Sequence, residues 1–89
     1  MDNVWVFNGD GATFPAGVFS TREKADAWIA RHKLSGTLTW YPIDEAVYDW
    51  AITRGHFKLK RPDQSGAEFI QRFSSASQEH YHYEAGEES

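Results

Sequence analysis

Val4-Trp5-Val6-Phe7 is an unbroken apolar run near the start of the chain. Its β-branched and aromatic residues, without polar alternation, predict a strand of the kind that is covered on both faces. Asn8-Gly9 and Asp10-Gly11 follow as successive turn signals. From there to Pro15 the chain reads either as a loop or as a wide hairpin end in which Ala12 to Phe14 extends the pairing. Val18-Phe19 predicts a second short strand. Ser20 ends it and, with Glu23 at capping-box spacing, is the expected N-cap of a helix. Ala25, Trp28, Ile29 and His32 then form one stripe, with Arg22, Glu23, Asp26 and Arg31 on the other side and Gly36 as the expected stop.

Thr37 to Tyr41 alternates as a third strand, Leu38 and Trp40 on one face and Thr37, Thr39 and Tyr41 on the other. Pro42 ends it. Asp44 is the expected cap of a second helix, in which Val47, Trp50, Ala51 and Arg54 share a face and Gly55 is the C′ residue. His56 to Gly66 is irregular, with Phe57 and Leu59 as its expected anchors. Ser65 and Glu68 repeat the capping-box spacing ahead of Phe69, Ile70 and Phe73, a short third helix. His80-Tyr81-His82-Tyr83 alternates as an edge strand. The order ββαβα, a helix and a last strand implies an α+β two-layer sandwich. Its small antiparallel sheet has the first strand inside, and helices pack on it, the first through Trp28 and Ile29.

A chain of 89 residues makes one domain, placed here at 1–83, with an acidic tail at 84–89 expected to be disordered. A domain of this size buries only about 60–65% of its unfolded surface. Aromatics at 16% compensate with large side chains. The absence of cysteine excludes disulfides, thiolate zinc sites and thiol catalysis, and favours a cytoplasmic location. The sequence shows no signal-peptide layout and no apolar run near the ~18 residues of a membrane span. A net charge of −4 and a pI near 5.4 weigh against general nucleic-acid binding and against an anionic membrane surface.

No reaction centre stands out. His80 and His82 would share a strand face, and with Glu79 or Glu84 they suggest a metal-dependent enzyme. A working centre needs three or four convergent ligands, however, and the sequence places two, so no metal site is assigned. His32, on the apolar stripe, is expected as a hydrogen-bonded core or boundary residue, and His56 as a complement to a helix C-terminus. Asp44, Glu45 and Asp49 cluster where a helix start attracts acids for dipole and capping reasons. The Asn8–Gly11 loop lacks the ligand series of a calcium loop and the lysine of a phosphate loop.

Two features suggest recognition. Arg54, Lys58, Lys60 and Arg61 fall in eight residues without an acid, with Phe57 between them. This stretch suits an acidic protein or a phosphate-bearing ligand, nucleic acid being an alternative. Trp5, Trp28, Trp40 and Trp50 are many for so small a domain. They imply either a tight aromatic core or an exposed patch around Trp40 and Tyr41.

VWVFNGDG, GVFSTREKADAWI, LSGTLTWYPIDEAVYDWAI and FIQRFSSASQEHYHYE together resemble a family of small bacterial proteins known as a domain of unknown function. The resemblance spans nearly the whole chain and implies a bacterial, cytoplasmic protein. It brings no catalytic residue. By size and layout the chain is also similar to small immunity or regulatory partners. The expected function is that of a non-enzymatic binding module without a cofactor. Its expected partner is another protein, with homodimerisation as a further form. The candidate binding residues are Arg54, Phe57, Lys58, Lys60, Arg61, Trp40 and Tyr41.

Overall fold

A computed structural model describes residues 2–89. The elements up to β4 follow the expected order, and a 3-10 turn and a fifth strand are added to it: β1 (Asn3–Gly9), β2 (Gly17–Phe19), α1 (Arg22–His32), β3 (Gly36–Pro42), α2 (Val47–Thr53), a 3-10 turn (Pro62–Ser65), α3 (Ala67–Ile70), β4 (His80–Glu84) and β5 (Glu87–Glu88). The strands form one open antiparallel sheet in the order β2-β1-β3-β4-β5, so the fold is α+β and β1 lies inside the sheet. The sequence suggests one domain over 1–83. Contacts gather the chain into two compact units, one of residues up to 43 with 78–89 and one of residues 44–77.

In the first unit the register sets Trp5 between Phe19 and Trp40, and Phe7 between Gly17 and Leu38. Leu38 in turn lies opposite Tyr81, and Gly36 opposite Tyr83. Strand alternation therefore collects these aromatic and aliphatic side chains on one face. There α1 packs with Ala25 and Ile29 fully buried, and Trp28 meets Phe7 edge-on at 5.8 Å. Phe7, Ile29 and Leu38 are the largest fully enclosed side chains, each contributing about 2–3 kcal/mol of burial. Burial alternates along β1: Trp5 and Phe7 are buried, Val4 and Val6 only half so. The apolar run thus does not reflect a strand buried on both faces. Val18, His80 and His82, on the face opposite α1, are exposed.

The helix ends differ from the sequence reading in instructive ways. Thr21, not Ser20, caps α1, its Oγ1 accepting from the Lys24 N–H at 3.2 Å. The helix closes at Lys33, in the left-handed region at φ 53°. The Lys33 and Leu34 N–H groups donate to Ala30 and Ile29, the bond pair of a Schellman motif. Gly36 is already strand: a Cβ there would lie 2.3 Å from the Asn8 carbonyl oxygen, so close backbone approach, not helix termination, requires glycine. His32 is exposed, its ring 5.9 Å from Trp28, rather than a core residue.

The acidic end joins the sheet. Gly86 N–H donates to Leu34 O and Ala85 N–H to Ser35 Oγ, tying the β4–β5 turn to the α1–β3 connection. Arg22 reaches Glu88 at 2.5 Å while its guanidinium lies 3.4 Å over the Tyr81 ring. These contacts order residues whose composition suggests fraying, and they make β4 an interior strand rather than an edge.

Candidate functional site

Residues 44–77 build a small aromatic unit. Ala46 occupies the N-cap position of α2 without a side-chain bond, and Asp44 stands outside the helix at φ 63°. Asp44 is thus not the cap. Tyr48, Trp50 and Ala51 point inward. At the other end Gly55, at φ 77°, is the C′ residue as expected: its N–H donates to Ile52 O and the His56 N–H to Ala51 O. The chain then turns back on the helix. Phe57 folds inward, whereas Leu59 is 45% exposed and so is not the buried anchor expected of it. Gln64 holds this irregular stretch. Its buried side chain accepts from the Lys60 N–H at 2.6 Å and the Arg61 N–H at 3.2 Å, and its carbonyl accepts from the Tyr48 hydroxyl at 2.7 Å.

Ser65 does not cap α3. Its hydroxyl donates to Pro62 O, and Gly66 takes the N-cap position. The short helix brings Phe69 inward, with Phe73 just beyond it. Tyr48, Phe57, Phe69 and Phe73 then form a cluster in which every ring meets every other, at centroid distances from 5.0 to 6.3 Å. Such pairs add about 0.5–1.5 kcal/mol each beyond area burial.

One side of that cluster is open. A cleft of about 650 Å³ is lined by His56, Phe57, Phe69, Arg72, Phe73 and the Ser74–Ser77 turn. Its floor is aromatic, and its rim is a guanidinium, an imidazole and serine hydroxyls. No carboxylate lines it, so it lacks the paired acids of general acid–base chemistry. An apolar surface with a few polar groups at its margin is the composition of a binding cleft.

The predicted binding residues divide between the two units. Arg54, Lys58, Lys60 and Arg61 are exposed on the same unit as the cleft, and Arg61 pairs with Asp63 at 3.2 Å. Phe57 belongs to the cleft floor rather than standing among the cations. Trp40 and Tyr41 lie on β3 of the other unit, on opposite faces. Trp40 packs against the sheet core, and Tyr41 is half-buried. Trp5 and Trp50 are buried and Trp28 and Trp40 half-buried, so none of these side chains forms an exposed patch. Arg72 and the serine turn were not singled out from sequence. Phe69 and Phe73, four residues apart with Arg72 between them, are the local signal that marks them.

The histidines of β4 form a second cluster. The His80 and His82 rings lie 5.5 Å apart and nearly perpendicular, at 89°. His80 Nδ1 is 2.7 Å from Gln78 O, and His82 Nδ1 is 3.4 Å from Thr37 Oγ1. Among the described residues no group of three or more His, Asp or Glu side chains is placed to hold a metal. The alternating Tyr81 and Tyr83 belong to the α1 side. The Tyr81 hydroxyl donates to Glu79, and that bond, with burial, raises its pKa. The Tyr83 hydroxyl donates to Asp26. Burial and that bond push it up to about 12.

A family model described as "Domain of unknown function (DUF7710)" matches residues 4–89. Neither the curated proteins nor the solved structures give a match.

Proposed function

The chain belongs to the DUF7710 family, and we infer that it works by binding a protein partner through the unit of residues 44–77. The observation that carries this reading is the cleft, an aromatic floor of Phe57, Phe69 and Phe73 under a rim of Arg72, His56 and serines. Aromatic residues and arginine are the types enriched where protein interfaces concentrate their binding energy. Charge supports the same reading. In residues 44–77 five carboxylates balance five cations, yet Arg54 to Arg61 holds four of those cations and no acid. An acidic partner segment with an apolar side chain suits both features: the side chain enters the cleft and the acids meet the cations.

The test is capture of a partner with tagged protein, followed by titration of the purified pair. Two variants run alongside, Lys58→Glu/Lys60→Glu/Arg61→Glu and Arg72→Glu. A saturable protein partner weakened by both variants supports the reading. A partner bound equally by wild type and both variants overturns the assignment to this unit. Recovery of nucleic acid instead, with affinity falling steeply with salt, overturns the choice of partner.

A further inference from the structure

We propose that His80 and His82 form a site for an exchangeable first-row divalent ion, coordinated through the two Nε2 atoms on the exposed face of β4. The site is separate from the cleft. Residues two apart on a strand project to one face, and both side chains are exposed. The imidazole tautomer follows from the hydrogen bond. Gln78 O, a carbonyl, can only accept, so the neutral His80 ring carries its proton on Nδ1 and leaves the Nε2 lone pair to solvent. Nδ1–H bound to a backbone carbonyl is the outer-shell arrangement that orients metal-binding histidines. The Thr37 hydroxyl stands in the corresponding place for His82, and a hydroxyl can accept as well as donate.

Ring spacing agrees with a shared ion. With metal–nitrogen bonds of ~2.0–2.1 Å, ring centres stand roughly 3.2 Å from the ion and roughly 5.2 Å apart at a tetrahedral angle. The observed separation is 5.5 Å, so the two rings stand about as far apart as a shared ion requires. Two imidazoles select ions that favour nitrogen, Zn²⁺, Ni²⁺ and Cu²⁺ above Mg²⁺ or Ca²⁺. With no third protein ligand among the described residues, water completes the shell. That makes the ion exchangeable and distinguishes the site from a catalytic zinc centre with three protein ligands.

The test is calorimetric titration of the full chain with Zn²⁺ alone, compared with His80→Ala, His82→Ala, the double variant, and His32→Ala with His56→Ala as the control. One ion per chain is expected. Each single β4 variant should weaken binding roughly tenfold or more, at or above the usual cost of losing an outer-shell partner. The double variant should abolish binding and the control should leave it unchanged. Circular dichroism and the thermal midpoint check that each variant folds, as exposed positions allow. Nitrogen-15 spectra of the imidazoles supply an independent readout, Zn²⁺ shifting Nε2 of both rings while the His80 Nδ1 proton persists. No saturation in the millimolar range, binding indifferent to the double variant, or loss in the control overturns the proposal.

Discussion

The Tyr83 hydroxyl donates to the Asp26 carboxylate, a bond between β4 and α1 that spans 57 residues of sequence. Arg22, one helical turn before Asp26, sits 3.5 Å from the same carboxylate and also reaches Glu88 on β5. The hairpin that ends the chain is thereby fastened to the helix that packs on the sheet.

Stability should fall in alkali because the Tyr83 hydroxyl is buried and bonded to Asp26. The Tyr83 pKa stands at about 12 in the folded protein against 10 in a free side chain. Between those values the unfolded chain has released the proton and the folded one still holds it. The contribution is therefore complete below pH 10 and disappears as pH rises to 12. Its size is about 1–2 kcal/mol, after discounting for the half-open Asp26 side. Urea midpoints measured from pH 8 to 12 should show this loss in the wild type and a shallower one in Tyr83→Phe. Equal slopes in the two proteins would exclude Tyr83 as the cause.

Two residues near the end of α1 should respond to substitution in opposite directions. Gly36→Ala places a methyl 2.3 Å from Asn8 O and 2.8 Å from the Gly9 Cα, both backbone atoms of the paired strand. The strands must part, at about 3 kcal/mol, the upper end of overpacking costs. Lys33→Gly removes a side chain from the left-handed region and should gain about 1 kcal/mol. Chemical denaturation of both variants checks the pair of signs.

The same two residues show what was and was not legible in the sequence. Apolar runs located β1 and β2, and periodicity located α1 and β3, because Trp28 and Ile29, and Leu38 and Trp40, repeat at the helix and strand spacings that burial requires. Local end signals were less informative. Gly36 looked like a helix stop, but its role is set by a strand neighbour 27 residues earlier, across the register with Gly9. Ser20, Asp44 and Ser65 had the chemistry of caps, while the backbone placed the helix starts at Thr21, Ala46 and Gly66. The final hairpin has no signal in the composition of Glu84 to Ser89, because it is held by partners in α1 and its following turn.

Gln64 should prove the main polar support of the second unit. Gln64→Ala leaves the Lys60 and Arg61 N–H groups without their acceptor, at a cost of about 1–3 kcal/mol. Hydrogen exchange at those two amides should accelerate in Gln64→Ala and remain slow in Gln64→Glu, which keeps a side-chain oxygen in place. Unchanged exchange in Gln64→Ala would show that the loop is held by the aromatic contacts alone.

The cleft was only partly legible for a related reason. Phe57 drew attention as a ring among cations, yet it turns inward, and the groups it meets lie 12 and 16 residues further on at Phe69 and Phe73. Arg72, two residues beyond α3, lines the cleft beside those rings. Floor and rim should therefore separate experimentally. Phe73→Ala removes ring contacts to Tyr48, Phe57 and Phe69 and should cost about 2–4 kcal/mol of stability. Arg72→Glu, at an exposed position with no ion pair among the described residues, should change stability by less than about 0.5 kcal/mol. It should also weaken an acidic partner roughly tenfold or more by reversing the charge at the rim. Thermal unfolding and a binding titration on the two variants give the comparison. If Arg72→Glu unfolded the unit as readily as Phe73→Ala, the arginine would be part of its packing rather than of a recognition surface.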